Sequence, residues 1–194
     1  MSDSASWDLA DQIAKENFSQ LNQLHIDNGV SPPKVVWQPR GRDLQHEQLQ
    51  FLLAYWKNLS DGDGRVAADE IDPLNMWPAL GFVILVDVVE GGEDFRVRVY
   101  GSAIAQSVDV DVTGKLISET PWQGVVMDFF YAVYRAVLIR PEPLYTEHEP
   151  PADVGVKLWH RLMLPLGGAD GKICRVLVGN VPGEWRKPVK DGED

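Results

Sequence analysis

From Phe82 to Tyr100 the chain holds two β-type runs joined by Glu90-Gly91-Gly92-Glu93, and no other stretch narrows the fold as much. Phe82 to Val89 is a run of apolar, mostly β-branched residues, and Phe95, Val97 and Val99 then alternate with Arg96, Arg98 and Tyr100. A glycine pair between two such runs signals a hairpin, because its turn needs backbone angles that glycine adopts without penalty. The second strand has one polar face and is predicted half-buried; the first is apolar on both faces except at Asp87. A long helix follows from about Gly124 to Ile139, with Val126, Phe130, Val133, Tyr134 and Val137 on one stripe and Pro141 and Pro143 beyond its end. Three strand-like segments come next, Leu144 to Glu149, Val156 to Leu166 and Lys172 to Val181. Gly167, Gly168, Asp170 and Gly171 form a turn between the last two. Helices between a hairpin and a three-strand meander predict an α+β fold, an antiparallel sheet with helices on one face.

Ahead of the hairpin, Leu9, Ile13, Leu21 and Leu24 predict one helix over Asp8 to His25, with Asp8 as N-cap and Gly29 as stop. Pro32, Pro33, Pro39 and Gly41 then mark a linker. Leu49, Leu52, Leu53, Trp56 and Leu59 make an apolar stripe on a helix from His46 to Leu59. Asp72 caps a short helix whose first residue is Pro73, and Gly101-Ser102 opens another helical piece. The expected organisation is an N-terminal helical extension and Pro-rich linker over 1–41, a domain over 42–182 and a polar tail over 183–194.

The 194 residues carry 29 acidic against 18 basic side chains, a net charge of -11, so a phosphate backbone or an anionic lipid surface is repelled. We therefore expect neither nucleic acid nor membrane as a partner. A single cysteine, Cys174, and an opening Ser2-Asp3-Ser4 in place of a basic and apolar leader read as cytoplasmic.

Several short motifs then fall in a recognisable order: Tyr55-Trp56 with Leu59, Ile71-Asp72-Pro73, Val86-Asp87-Val88, Phe95-Arg96-Val97-Arg98 with Gly101-Ser102, Asp111-Val112-Thr113-Gly114, and Leu164-Pro165-Leu166. In order and spacing the chain resembles the small bacterial PAS-type proteins grouped as the fifth PAS-type family, over about residues 46 to 182. It departs from that pattern at Val66-Ala67 and Gly81, where prolines are common, and at Ser102, where threonine is common. The resemblance implies a five-stranded antiparallel sheet in the order 2-1-5-4-3, middle-segment helices across one face and a pocket between them. It also implies a sensory, ligand-binding or dimerising role, with no common ligand to carry over.

Candidate chemistry is sparse. Glu147, His148, Glu149 and His160 have the right donors for a metal, but alternation along a strand turns His148 away from its two neighbours, so a solvated strand is expected and no metal. The stretch from Asp61 to Asp72 resembles a calcium loop weakly, with Val66 where the turn needs glycine. Haem through histidine and a flavin adduct through cysteine would draw their residues from the middle segment, as the PAS resemblance implies, yet 102–139 contains neither His nor Cys. We therefore expect no cofactor, and Cys174 reads as a small buried apolar residue. Asp109 and Asp111 read as capping or solvated, and no nucleophile–base or phosphate-loop motif is present, so no enzyme is expected.

The remaining signal is Trp122, Phe130, Tyr134, Trp159 and Arg161, an aromatic set with one cation that suits a small organic acid or aromatic anion. The plainer reading is core packing with Arg161 solvated on the sheet's outer face. Asp87 is expected to pair with Arg96 or Arg98 across the hairpin. The function expected is a PAS-like cytoplasmic sensory or ligand-binding domain that acts through a protein partner or self-association. The alternative is a ligand-free interaction or dimerisation module, a homodimer built on the helix over 8–25 and the Leu49, Leu52, Leu53, Trp56 stripe.

Overall fold

In the computed structural model, residues 3–60, 64–150 and 154–186 are described. Two helices, α1 (Asp3–Ala14) and α2 (Ser19–Asp27), lead into strand β1 (Lys34–Trp37) and helix α3 (Glu47–Leu59). A 3₁₀ segment (Pro73–Phe82) precedes the hairpin β2 (Val83–Val89) and β3 (Asp94–Tyr100). Then come α4 (Ser102–Val108), α5 (Val125–Ile139), β4 (Leu144–His148), β5 (Trp159–Gly167) and β6 (Ile173–Pro182).

The strands form one antiparallel sheet in the order β1-β4-β5-β6-β2-β3. The sheet thus has six strands and not the expected five, and its order carries an additional edge member, β1. That strand lies inside the segment expected to be a linker. Its four residues sit between Pro33 and Pro39 and pair only with β4, which suits a chain whose flanking prolines cannot donate to a ladder. Trp37 secures it from the side, its indole N–H donating to the carbonyl of Ile13 at 3.0 Å.

The single helix expected over 8–25 is two helices. The chain breaks at Glu16, whose φ of 60° lies in the left-handed region, a break that no glycine or proline announces. The strand expected from Val156 begins at Trp159, and Val156 makes only an isolated bridge to Trp185.

Helices cover both faces of the sheet, not one. On one face Val86, Val97, Met163, Val176 and Val178 pack against Phe129, Val133 and Val137 of α5, with Leu9 and Ile13 of α1 in the same apolar cluster. On the other, Leu162, Leu164, Leu177 and Val181 pack against Leu49, Leu52, Leu53 and Trp56 of α3. Coverage on both sides explains why β5 and β6 are apolar at successive positions instead of alternating. Helix α3 approaches so closely that a Cβ on Gly179 would lie 2.6 Å from Leu49 Cδ2 and 2.7 Å from Leu52 Cδ1. The α3 stripe, and the α1 and α2 residues Leu9, Ile13 and Leu21, are therefore buried within their own chain. They are not the free dimer faces the sequence suggested.

Candidate functional site

Between the sheet and α4–α5 lies a small cavity of about 50 Å³. Its wall contains all five residues singled out in the sequence: Trp122, Phe130, Tyr134, Trp159 and Arg161. Trp159 and Arg161 are two apart on β5 and so share a face, while Phe130 and Tyr134 are four apart on α5 and share the facing stripe. Trp122 comes from the loop before α5 and meets Phe130 edge-on, ring centroids 6.0 Å apart. The sequence reading missed Ile84, Val97 and Tyr100 of the hairpin, His148 of β4 and Asn180 of β6, which line the wall together with residues of the α4–α5 segment and with Pro150 and Val154 after β4. Asn180 was legible as the one amide in the apolar second half of β6, because a lone buried polar group needs a partner.

Arg161 is not on a solvated outer face. It is 5% exposed, and its guanidinium carbon sits 4.2 Å from the centroid of the Phe130 ring. Its Nε donates to Asn180 Oδ1 at 3.2 Å, and its Nη1 finds no acceptor among the described residues. No described carboxylate forms an ion pair with it. Burial pulls the Arg161 pKa down, a pull opposed by the nearby Tyr134 and Tyr100 hydroxyls. Those two phenols are pushed above their usual range by burial, so both stay protonated.

His148 and His160, expected on a solvated strand, are both buried, and they face opposite sides of the sheet. His148 lies on the cavity side beside Phe129 and Phe130, with no partner for its Nδ1 among the described residues. His160 Nδ1 lies 2.7 Å from Tyr145 Oη on the α3 side, and Tyr145 donates to Glu147 Oε1 at 2.9 Å, so the proton on that imidazole sits at Nδ1. Lys34 also donates to Glu147 Oε1, at 2.7 Å, which closes the β1 edge. Among the described residues no three His, Cys, Asp or Glu side chains come together as a metal set. The start of the calcium-like stretch, 61–63, lies outside the described residues.

Other expectations resolve individually. Asp87 takes Arg98, at 3.1 Å, and Arg175 of β6, at 2.7 Å; Arg96, directly opposite in register, donates instead to the carbonyl of Gly114. Asp111 accepts from the Thr113 N–H and hydroxyl, which holds its carboxyl below the usual range. Cys174 is half-buried and lies on β6, where it is not part of the cavity wall.

Burial, reinforced by the Arg161 charge, holds the His148 pKa well below its ordinary value. Its folded pKa is then below the unfolded value of about 6.5, so the unfolded chain alone takes up a proton as the pH drops through that value. The His148 contribution to stability is therefore fully present above about pH 7 and is lost as the pH falls through about 6.5. His148 by itself contributes a loss of about 1.4 kcal/mol between pH 7.5 and 5.5. Urea unfolding at the two pH values reads the loss directly, and in His148→Gln the difference should shrink by that amount; an unchanged difference would contradict the assignment.

A family model for the PAS domain matches residues 44–180, more than two thirds of the chain. The chain belongs to the PAS family. PAS domains are sensory or interaction modules, and the cavity lies inside the matched region, between the sheet and the helices of the PAS middle segment. No curated protein matches the chain, and no solved structure matches it. No described helix of this PAS protein is long and apolar enough to cross a membrane.

Proposed function

We propose that this PAS protein is a cytoplasmic sensory module that binds a small molecule in the cavity and passes its occupancy to a protein partner or a second copy of the chain. The observation that carries this reading is a guanidinium buried at the wall of an apolar cavity with a donor that no described residue answers. A core built only for packing places an apolar side chain there, since a buried charge is costly unless something pairs with it. Binding and not catalysis is the chemistry the wall supports. Its described residues include no Ser, Thr, Cys, Lys, Asp or Glu, and its two phenols are held protonated by burial. Among the described wall residues the imidazole of His148 has no hydroxyl, thiol or amine nucleophile beside it to activate.

Native mass spectrometry of freshly purified protein, repeated after denaturation and paired with an absorbance spectrum, tests the reading. Mass carried by the folded chain and released on unfolding is the expected result. A chain that stays bare, and whose thermal midpoint is unmoved by a panel of small acids, amides and alcohols, counts against it.

A second reading, an interaction module, draws on Leu74 and Trp77 of the 3₁₀ segment, which are 84% and 80% exposed. Large apolar side chains that close in sequence and that open to water fit a contact surface better than a core. Sedimentation of the intact chain against Trp77→Ser separates the two: a shift in mass favours the contact surface.

A further inference from the structure

We propose that the cavity takes a short-chain monocarboxylate, with Arg161 as its anchor. This rests on the reading of the cavity as a ligand site and adds the ligand's charge, number of charges and size.

The sign of the charge follows from what the wall lacks. Arg161 is buried, its Nε is engaged by the neutral amide of Asn180, and its Nη1 has no acceptor among the described residues. A carboxylate oxygen supplies both the missing acceptor and the missing countercharge, and guanidinium N–H groups match carboxylate geometry closely. A second polar atom on the cavity side, His148 Nδ1, is likewise without a partner among the described residues. The imidazole presents one donor and one acceptor, and a donor there suits the second oxygen of the same carboxylate.

The number of charges follows from counting cations. Arg161 is the one Arg or Lys in the described wall, and His148 is held neutral by burial and by that same guanidinium. A dianion such as phosphate or sulfate would keep one negative charge unbalanced among Ile84, Val97 and Trp159, whereas a monoanion leaves none.

Size separates an aliphatic acid from an aromatic one. A cavity of about 150 Å³ binds benzene, whereas a single water needs at least about 10–15 Å³ of free space. The space here is about 50 Å³, which suits roughly three to five non-hydrogen atoms. Acetate and propionate fall in that range, and benzoate does not. The apolar side chains facing Arg161 then take the methyl end, and this is why chloride alone, with no apolar part, is a poor match.

The test titrates the intact chain with propionate, and in parallel with propionamide, sodium chloride and benzoate at equal concentration. It reads the thermal midpoint and the arginine Nε–H and tryptophan indole NMR signals. Propionate is expected to raise the midpoint and to move the Arg161 Nε–H signal, identified by its loss in Arg161→Met, with a Kd on the order of 0.1–1 mM. Arg161→Met is expected to weaken propionate roughly 10- to 100-fold, with the other arginine signals unmoved. If Arg161→Met does not fold, the comparison of propionate with its neutral amide on the unaltered chain decides the matter. Equal effects of acid and amide, equal effects of chloride, or a preference for benzoate would overturn the assignment. A neutral molecule found by native mass spectrometry would also overturn it while leaving the ligand-binding reading intact. The failure of every small molecule to bind removes both.

Discussion

Gly101→Ala is expected to lose about 2–4 kcal/mol of stability or to fail to accumulate as folded protein, the largest effect of any single added methyl in this chain. The reason is contact, not backbone freedom. Gly101 sits where β3 passes into α4, and a Cβ there would lie 2.3 Å from the Gly81 carbonyl oxygen and 2.6 Å from its carbon. These are backbone atoms at the end of the 3₁₀ segment, so no side chain can swing aside to make room. The Gly101 N–H also donates to the Val83 carbonyl at 2.8 Å, which fixes the two segments at that spacing. Relief requires β2 and β3 to separate at the end where Ile84 and Tyr100 face the cavity, so ligand affinity should fall with stability. The control is Gly81→Ala, whose Cβ would meet its nearest atom, Ala103 Cβ, at an ordinary 3.4 Å. Urea midpoints of the two variants, measured side by side, check this; similar losses in both would contradict it.

What the sequence disclosed and what it hid divide along a physical line. The hairpin was legible because turn chemistry and alternation are local: Gly91 and Gly92 both adopt positive φ between strands that pair as their pattern required. Helix α5 was legible because its apolar stripe is continuous over four turns. Arg161 shows the limit. Alternation placed Trp159, Arg161 and Met163 on one face of β5, but not which cover that face receives. With α3 over one side and α5 over the other, both faces are interior, and a cation on either is buried. The same cover explains His148 and His160, which a one-sided sheet would have left one of them in water. Strand β1 stayed hidden because four residues between prolines carry almost no periodic signal, and its existence depends on β4 being there to pair with it. The break between α1 and α2 was hidden for a similar reason, since Leu9, Ile13, Leu21 and Leu24 keep helical spacing across the gap and all join the apolar cluster that includes α5.

That packing predicts the second large effect. Arg135→Met is expected to cost about 2–4 kcal/mol and to loosen α1 from the rest of the chain. Arg135 is 2% exposed on α5 and is not part of the cavity wall. Its Nε donates to the Gly92 carbonyl at 2.9 Å and its Nη2 to the Glu93 carbonyl at 3.2 Å, so the turn between β2 and β3 hangs on it. The same guanidinium donates to the Asp3 carboxylate and lies between the rings of Trp7, at 4.8 Å, and Tyr131, at 5.0 Å. Methionine keeps most of the volume but leaves the buried Gly92 carbonyl without its Arg135 donor, a loss of about 1–3 kcal/mol, and removes the part-buried bond to the Glu93 carbonyl as well. The ion pair itself adds little, because Asp3 is largely exposed and screened by water. Asp3→Asn should therefore cost under about 1 kcal/mol, and Arg135→Lys, which keeps the charge but not the fork, should fall between the two. Hydrogen exchange supplies the spatial readout: in Arg135→Met the amides of α1 and of the β2–β3 turn should exchange faster while those of β5 and β6 keep their protection. Uniform acceleration across the sheet, or a loss no larger than that of Asp3→Asn, would show that Arg135 is not the tie between the N-terminal helix and the PAS sheet.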